Sequence, residues 1–326
     1  MARVLVLGRL HKAAMAMLEA APGLEITLIE APEAALPREA LAGIEGLLIR
    51  YGRMSENEAA AAPQLRIVSR HGVGTDNLPV AALAARGVPV TIVGPVNAVS
   101  VAEQVMAMIL ALLRRIGPYD RAVRTGDWAI RDTLGAHELA GRRLLLIGFG
   151  RIGRGVAARA RAFAVEVWAH DPFLPEAEIR AAGATPAPDW RAALPEADIV
   201  SLHLPLSAET QGLIGAVELA AMRPGAILVN AARGGLVDEA ALAAALPTGR
   251  PAAAALDCLA EEPPAPDHPL LALDNVLFSP HSAALAEETA RRMGEVAVRN
   301  LLDGLGGRVD PALVVDRQAL ETADGN

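Results

Sequence analysis

A glycine loop of the form GxGxxG spans residues 148–153. The apolar run 144–147 precedes it and a helical pattern at 154–163 follows it, so a buried strand would lead into the loop and a helix would lead out of it. Glycines allow the tight turn and the close approach of backbone to a pyrophosphate, and the helix N-terminus offers free N–H groups to the phosphates. The sequence predicts cofactor contacts at Gly148, Gly150, Arg151, Ile152 and Gly153.

Asp171 follows the next predicted strand, Glu166–His170, near the separation of about 20 residues that is expected of a ribose-binding acid. Its carboxylate would accept hydrogen bonds from the adenosine ribose and would repel a 2′-phosphate. The sequence therefore predicts NAD rather than NADP as the cofactor. The alternative for the whole motif is a structural glycine turn in another kind of α/β protein.

Strand-like runs alternate with helical stretches in two series, one before residue 100 and one after residue 141. Alternation of this kind predicts parallel sheets that are covered by helices on both faces. The predicted strands are Arg3–Leu7, Glu25–Ile29, Gly46–Arg50, Arg66–Ser69, Val90–Val93, Leu144–Gly148, Glu166–His170, Ile199–Leu202, Ala226–Asn230, Ala253–Leu256 and Val276–Ser279. The predicted helices include His11–Ala20, Leu36–Ala42 and Glu287–Asp303.

The segment Ser100–Ile116 is apolar on nearly all sides, which predicts a helix buried between domains or between subunits. Ser100 and Glu103 have the spacing of a capping box at its start. The stretch that follows, Gly117–Gly141, shows no clear strand or helix periodicity.

Length and composition limit the class of protein. A chain of 326 residues is longer than one hydrophobic core usually serves, which favours two domains. The formal net charge of −8 argues against nucleic acid as a partner, and no apolar stretch looks long enough to cross a membrane. The first seven residues are typical of a buried strand rather than a signal peptide. Cys258 is the single cysteine, which excludes a disulfide framework and a cysteine metal cluster and fits a cytoplasmic protein.

Five stretches together resemble the D-isomer-specific 2-hydroxyacid dehydrogenase family, which includes phosphoglycerate dehydrogenases and hydroxypyruvate reductases. They are RHGVGTDN at 70–77, NAVSVAE at 97–103, the glycine loop at 148–153, MRPGAILVNAARGG at 222–235 and SPHSA at 279–283. The resemblance extends over about Leu47–Asp303.

The resemblance implies an α/β protein with two Rossmann-like or flavodoxin-like doubly wound parallel-sheet domains. An NAD-binding domain, 100–283, would be inserted into a substrate-binding domain made of 1–99 and 284–326. The two domains would hinge around the substrate. The molecule would be a homodimer formed through the inserted domain. Serine feedback is not expected, because no regulatory domain follows the last helix in this sequence.

Arg233, Glu262 and His281 match the family's catalytic positions. His281 would serve as the acid in reduction and the base in oxidation, because imidazole titrates near neutral pH. Glu262, which the resemblance selects over Glu261 by its neighbour Pro263, would orient the imidazole ring and favour its protonated form. Arg233 would bind the substrate carboxylate and carbonyl. The implied reaction is hydride transfer between NAD and C2 of a small D-2-hydroxy acid or its 2-keto acid.

The resemblance also assigns cofactor contacts outside the glycine loop. Asp257 would accept a hydrogen bond from the nicotinamide amide, and a purely structural acid is the alternative. His203 and Pro205 would lie beside the adenosine, in a turn where Ser207 replaces the usual threonine. The remaining assigned contacts are Ser100, Ala231, Ala232 and Ala283.

Substrate binding is assigned by the same resemblance to the first domain. Backbone N–H groups around Val73 and Gly74 would hold the substrate carboxylate. Together with Arg70, the side chains of Arg50, Arg53 and His71 would form a positive mouth for a second anionic group such as phosphate or sulfonate. The alternative is that Arg50 and Arg53 are solvated loop charges. The first candidate substrates are hydroxypyruvate, glyoxylate and 3-phosphohydroxypyruvate.

Two other interpretations stay open. An NAD(H)-sensing corepressor on the same fold would retain the Arg/Glu/His set, although such proteins carry extended partner-binding segments that we do not find in this sequence. A formate dehydrogenase would pair its histidine with glutamine, and Glu262 argues against that. No metal site is predicted, because His, Asp and Glu show no ligand-type spacing.

Overall fold

The computed structural model describes residues 1–30, 36 and 38–324, and the predicted helix Leu36–Ala42 lies partly outside them, at residue 37. Within the described residues the strands are β1 (Ala2–Leu7), β2 (Leu24–Ile29), β3 (Gly46–Ile49), β4 (Ile67–Arg70), β5 (Val90–Thr91), β6 (Arg143–Ile147), β7 (Glu166–His170), β8 (Thr185–Pro186), β9 (Ile199–Leu202), β10 (Ile227–Asn230), β11 (Ala253–Leu256) and β12 (Val276–Phe278). The helices are α1 (Lys12–Glu19), α2 (Arg38–Leu41), α3 (Glu56–Ala60), α4 (Val80–Ala84), α5 (Ala98–Leu113), α6 (Ile116–Thr125), α7 (Arg151–Ala162), α8 (Glu176–Ala181), α9 (Trp190–Ala193), α10 (Ala216–Ala221), α11 (Glu239–Ala245), α12 (Glu287–Leu305) and α13 (Gln318–Asp324).

The first compact unit joins the two ends of the chain, Met1–Asn97 and Leu285–Asn326. Its strands pair in parallel in the order β2-β1-β3-β4-β5, which is the flavodoxin-like order. Helix α12 lies directly on this sheet. The hydroxyl of Ser69 in β4 donates to the carbonyl of Ala297 in α12 at 2.8 Å.

The second compact unit is Ala98–Ala284, and its strands pair in parallel in the order β12-β11-β10-β9-β6-β7-β8. The chain builds outward from β6 through β7 to β8, and then returns to the other side of β6 with β9. Ligands bind at such a reversal of strand order in open α/β sheets, beside the carboxyl ends of the strands. The glycine loop begins at the end of β6, at this reversal.

Both faces of the second sheet are buried, as a parallel sheet requires. Leu144 and Leu146 of β6 point into a core shared with α5 and α7, whereas Leu145 and Ile147 point into the core on the opposite face. The continuous apolar run 144–147 is therefore explained by burial on both sides.

The fold class predicted from the sequence is confirmed: two doubly wound parallel α/β sheets are present. The sequence placed the boundaries at 99/100 and 283/284, and the structure divides the chain at 97/98 and 284/285.

The predicted capping box of the long apolar helix is wrong. Helix α5 begins at Ala98, so Ser100 lies inside the helix rather than at its cap. The hydroxyl of Ser100 donates to the carbonyl of Ala283 at 2.7 Å, and Glu103 pairs with Arg159 of α7 at 3.0 Å. The side chains of Ser100 and Glu103 therefore bind residues outside α5 instead of capping the helix.

The stretch Gly117–Gly141 is more regular than the sequence indicated. It contains most of α6 and a 3-10 segment, Trp128–Thr133. Gly117-Pro118 is typical of a chain turn, but here it occupies the first turn of α6, where proline is tolerated because that N–H needs no helical partner.

One segment meets the length and hydropathy of a membrane span, contrary to the expectation from the sequence. It is Gly94–Leu113, with 20 residues and a mean hydropathy of 1.8, and half of it is buried within the described structure. Val105 and Ile109 lie in the core beside α7. A core helix of a water-soluble fold passes the same test, so the segment is weak support for a membrane span.

Candidate active site

Two of the three glycines in the loop 148–153 are required by the local backbone or by their neighbours. Gly148 has a φ of +96°, and a side chain there would meet the carbonyl of His203. Gly153 lies against the carbonyl oxygen of Gly148, so the first turn of α7 packs directly on the end of β6. Gly150 precedes α7 without any side-chain cap, and open space lies where its side chain would be. The first N–H groups of α7, from Arg151 and Ile152 onward, are therefore available to a phosphate.

Asp171 supports the glycine loop while keeping acceptor capacity. One carboxylate oxygen accepts the N–H of Phe149 at 2.9 Å, and the other accepts the N–H of Phe173 at 3.0 Å. Each oxygen retains a second lone pair, so ribose hydroxyls can still bind. Asp171 also lines a cavity of about 210 Å³ together with Pro172, Leu174 and other residues. The geometry thus fits the predicted ribose acid.

The turn at His203 and Pro205 lies beside the glycine loop. The His203 N–H donates to the carbonyl of Ile147, at the end of β6, at 2.7 Å, and its Nε2 lies 2.9 Å from the hydroxyl of Ser201. Burial lowers the pKa of His203 to about 4, so its ring is neutral at pH 7. The hydroxyl of Thr210 donates to the carbonyl of Pro205 at 2.8 Å and fixes the far side of the turn.

The three predicted catalytic residues follow three neighbouring strands. Arg233 comes after β10, Glu262 lies in the loop after β11, and His281 comes after β12. The carboxyl ends of parallel strands meet at one edge of the sheet, so these loops are neighbours. The structure brings the side chains together: His281 Nδ1 lies 2.7 Å from Glu262 Oε2, and the charge of Arg233 acts on Glu262.

Asp257 fixes the backbone that presents His281. His281 has a φ of +50°, which is uncommon for a residue other than glycine, and its N–H donates to the carbonyl of Asp257 at 2.7 Å. The Asp257 carboxylate accepts the N–H groups of Ser282 and Ala283 at 2.9 and 3.0 Å and the hydroxyl of Ser279. These bonds hold the residues around His281 in an otherwise strained turn.

The contacts of Asp257 and Ser100 also bear on their assigned cofactor roles. Asp257 is 3% exposed, and its three bonds occupy most of the roughly four acceptor positions of a carboxylate. Ser100 is 7% exposed and bonds Ala283, which is itself a predicted contact. Asp257 and Ser100 therefore both stabilise the turn around His281. Their contacts to a cofactor stay predictions.

The charge of Glu262 is favoured by its surroundings. Burial raises its pKa, but the hydrogen bond from His281, the N–H of Leu259 at 3.0 Å and the charges of His281 and Arg233 outweigh burial and hold that pKa below its ordinary value. Glu262 is therefore an anion at neutral pH. An anion against Nδ1 orients the ring and stabilises its protonated form.

The turn that carries Arg233 is fixed by Asn230, to which the sequence analysis gave no role. The Asn230 amide donates to the carbonyl of Arg233 at 2.7 Å, and its oxygen accepts the N–H of Ala232 at 3.1 Å. The guanidinium donates to the Ala232 carbonyl at 2.7 Å, and Ala231 is buried beneath the turn. An asparagine that accepts from the N–H two residues ahead is a known turn former, so this role was detectable in principle.

A second carboxylate holds the loop that carries Glu262. Glu239, at the start of α11, accepts the N–H of Ala260 at 2.6 Å, and its other oxygen lies 3.0 Å from Nε2 of His268. Gly234 lies so close to the Leu259–Ala260 peptide that any side chain there would collide with it. The sequence analysis missed Glu239, because nothing in the spacing links it to this loop.

Cys258 is the other residue whose position was missed. Its sulfur lies within 4.8 Å of ligand atoms of both Glu262 and His281, and 3.6 Å from the carbonyl of Ala232. The side chain is 2% exposed.

The loop after β4, in the first unit, offers the predicted backbone donors. The N–H groups of Val73 and Gly74 make no hydrogen bond with any residue of the described part of the chain, and Val73 is exposed. Arg70 supports the loop by donating to the carbonyl of Gly74 at 2.9 Å. Free backbone donors in a loop can bind a carboxylate.

His71 and Arg50, the other predicted substrate residues, differ in charge. His71 is 5% exposed and lies near Gly294 of α12. Burial, and then the charges of Arg50 and Arg70, lower the pKa of His71 to about 4, so the ring supplies no positive charge at pH 7. The Arg50 guanidinium donates to the carbonyl of Arg9 and stacks 4.4 Å from the ring centre of Tyr51. Any positive charge at the predicted second anion site would therefore have to come from arginine side chains and not from His71.

Comparisons with known proteins agree with this geometry. Residues 106–283 match the family model described as D-isomer specific 2-hydroxyacid dehydrogenase, NAD binding domain. The chain is 41% identical over 260 residues to a D-3-phosphoglycerate dehydrogenase of Archaeoglobus fulgidus, covering 79% of this chain and 49% of that protein. It is 40% identical over 257 residues to a glyoxylate reductase of Korarchaeum cryptofilum, covering 78% and 77%. The chain spans about half the length of the phosphoglycerate dehydrogenases it matches.

A solved structure is similar over nearly the whole chain. It is an NADPH-dependent glyoxylate/hydroxypyruvate reductase of Sinorhizobium meliloti in complex with citrate, with a TM-score of 0.84, 31% identity and coverage of 98% of this chain and 99% of that one.

A parallel sheet with a glycine loop at the reversal of its strand order is the architecture of dinucleotide-binding α/β domains, and here the Arg/Glu/His set lies at the same sheet edge. The chain belongs to the D-isomer specific 2-hydroxyacid dehydrogenase family.

Proposed function

We propose that this protein is an NAD-dependent dehydrogenase that interconverts a small D-2-hydroxy acid and its 2-keto acid. The observation that carries the proposal is the 2.7 Å contact between His281 and Glu262, beside Arg233 and on the same sheet edge as the glycine loop. The bound nicotinamide supplies or accepts the hydride at C2. The residues of this chain supply the proton and hold the charge.

His281 is the residue that we propose for proton transfer. Its Nδ1 is engaged by Glu262, so Nε2 is the nitrogen that exchanges a proton with the substrate oxygen. In reduction, Nε2 would give its proton to the substrate oxygen, and the ring would become neutral. In oxidation the ring takes the proton back, and the anionic Glu262 stabilises the resulting imidazolium.

Arg233 is suited to the substrate carboxylate. Its guanidinium is always charged and presents a planar set of N–H donors that matches a carboxylate. Asn230 fixes the backbone on which it stands. The donors of Val73 and Gly74 in the other unit are our further candidates for carboxylate binding.

For the cofactor we propose NAD, because Asp171 retains lone pairs for ribose hydroxyls and its negative charge opposes a 2′-phosphate. The Sinorhizobium relative is named as NADPH-dependent, so the likeness in fold does not decide this preference. For the substrate we propose glyoxylate, hydroxypyruvate or 3-phosphohydroxypyruvate, which agrees with the names of the glyoxylate reductase and phosphoglycerate dehydrogenase relatives. Arg50 would favour 3-phosphohydroxypyruvate, the member of this set that carries a second anionic group. We place the enzyme in the cytoplasm, where a lone thiol stays reduced.

The test is a reductase assay with a panel of 2-keto acids and both cofactors. We expect turnover of at least one candidate, with a higher kcat/KM for NADH than for NADPH. His281→Asn should lower kcat by about 10²- to 10⁴-fold, the usual contribution of a general acid, while NADH binding followed by fluorescence is retained. His137→Asn, at an exposed histidine, is the matched control. Equal turnover in wild type and His281→Asn would remove His281 from the mechanism, and equal efficiency with the two cofactors would refute the NAD preference.

We also propose a homodimer that covers an apolar surface of the second unit. The exposed side chains of this surface are Ile116 at 56%, Val123 at 55%, Trp128 at 64% and Leu134 at 83%. Several large apolar side chains exposed along one short stretch of chain, residues 116–134, are typical of an interaction surface. We expect light scattering to give twice the chain mass, and Trp128→Glu to give a folded monomer. A monomeric wild type would refute this part of the proposal.

A further inference from the structure

Three side chains with different ligand chemistry converge at the ends of β11 and β12. The Cys258 sulfur, a Glu262 oxygen and a His281 ring nitrogen all lie within 4.8 Å of one another. Thiolate, carboxylate and imidazole are the three ligand types that zinc takes from proteins. Cys258 is the only one of the three with no part in the proposed proton transfer.

The separations are close to those of a tetrahedral metal site. Zinc bonds of about 2.0–2.3 Å place neighbouring ligand atoms roughly 3.3–3.7 Å apart. Glu262 and His281 lie 2.7 Å apart and would separate by about 0.6–1 Å, and the remaining distances, none above 4.8 Å, would shorten by about 1.5 Å at most. The side chains of His281 and Glu262 are 47% and 38% exposed, so both have room to rotate towards the buried sulfur.

We propose that Cys258, Glu262 and His281 form an inhibitory site for Zn²⁺. On binding, the thiol loses its proton to the buffer and a sulfur–zinc bond forms, while the contact between the ring nitrogen and the carboxylate is replaced by bonds to the metal. The thiolate and the carboxylate together neutralise the charge of the ion. The fourth position is left to water.

The bound metal blocks the reaction because it takes the groups that move the proton. A ring nitrogen bonded to zinc no longer pairs with Glu262, and the imidazolium loses its stabilising anion. This inhibition rests on the proposed function, whereas zinc binding does not depend on it.

The first experiment measures binding on the full chain, reduced and free of chelators. Zn²⁺ is titrated in competition with a chromogenic chelator, and we expect one ion per chain. Cys258→Ser should weaken the affinity by at least about 10-fold, the lower end of what even an outer partner contributes to a metal site. His11→Asn is the matched control, since His11 forms a similar contact with Glu287 at 2.8 Å without a sulfur, and asparagine retains an acceptor for the N–H of Ala13. Equal affinity in wild type and Cys258→Ser overturns the proposal.

A second measurement needs no substitution in the buried site. Co²⁺ bound in place of Zn²⁺ should show near-ultraviolet charge-transfer absorption from the thiolate, and its absence at saturating Co²⁺ overturns sulfur ligation. In the reductase assay, Zn²⁺ should inhibit the wild type over the same concentration range in which it binds. A chelator should restore the rate, and Cys258→Ser should need at least about 10-fold more zinc for the same inhibition.

The binding and activity measurements test the metal site and the proposed function separately. Zinc binding that depends on Cys258, in a chain that turns over no 2-keto acid, supports the metal site and refutes the proposed function. Turnover that depends on His281, with zinc affinity unaffected by Cys258→Ser, does the reverse.

Discussion

His281 and Glu262 are held in contact from two directions. Asp257 fixes the turn under the histidine, and the N–H of Leu259 binds the second oxygen of Glu262. A positioned charge pair of this kind acts through orientation and through the stabilisation of one protonation state. Removing the charge while keeping the shape separates these effects.

We expect Glu262→Gln to lower kcat for reduction by about 10²-fold, within the usual range for general acid catalysis, with a smaller change in KM. Glu261→Gln, at the exposed neighbouring acid, is the matched control and should behave as wild type. A kcat in Glu262→Gln equal to that of the wild type would contradict the assigned role.

Which residues could be predicted from the sequence depends on how their contacts are encoded. The glycines and Asp171 follow from spacing, because a tight turn and a strand end fix their positions locally. Arg233, Glu262 and His281 are separated along the chain, and only the family resemblance linked them. Cys258 carries no such pattern, because its nearness to His281 arises from the pairing of β11 with β12.

At the scale of elements, the loop after β11 depends on α11. Glu239 binds Ala260 and His268 with its two oxygens, and its side chain is 11% exposed. This contact ties the loop of Glu262 to the helix that follows Arg233. The anchoring of that loop is therefore a property of two elements together.

We expect Glu239→Ala to lower the free energy of unfolding by about 1–2 kcal/mol, because the N–H of Ala260 and the ring of His268 lose their carboxylate partner. It should also lower kcat about 10-fold, since the Glu262 loop is less well positioned, and Glu239→Gln should restore much of both. The control is Asp238→Ala at the N-cap of the same helix, which removes the hydrogen bond from the N–H of Ala241 at 2.9 Å and should reduce stability by about 1 kcal/mol without reducing kcat. Equal losses of kcat in the two alanine variants would show that stability alone is responsible.

The elements of the sheets were largely predictable, because buried parallel strands are short apolar runs between turns. The exceptions have tertiary causes. The edge strand β8 has two residues and contains Pro186, so it has no apolar pattern. Helix α13 was not predicted, and the start of α5 was misplaced because the hydroxyl of Ser100 binds Ala283 instead of capping the helix.

The whole molecule should lose stability in mild acid. Burial lowers the pKa of His71 and of His203 from 6.5 to about 4. The unfolded chain binds protons at these residues at a higher pH than the folded chain does, so their contribution is complete above pH 6.5 and is lost as the pH falls towards 4. The pKa of Glu262 is lowered by folding, so its contribution to stability is present above pH 4.5 and is lost as the pH falls below that value.

We expect the free energy of unfolding, measured with urea, to fall by about 2 kcal/mol per histidine between about pH 7 and 5. His71→Asn should reduce this slope by about half, because asparagine does not ionise in this range. His137→Asn should leave the slope as in the wild type. An identical slope in His71→Asn and wild type would show that protonation of His71 is not coupled to unfolding.

The hydrogen bond between Ser100 and Ala283 joins residues that lie two positions from one end and one position from the other end of the unit Ala98–Ala284. The polypeptide thus enters and leaves this unit at almost the same point. An inserted folded unit whose two ends lie close together costs the surrounding domain little loop-closure entropy, whatever the length of the insert. Such a unit can therefore be inserted into an existing domain, or exchanged for another inserted domain, without distorting the backbone on either side of the insertion point.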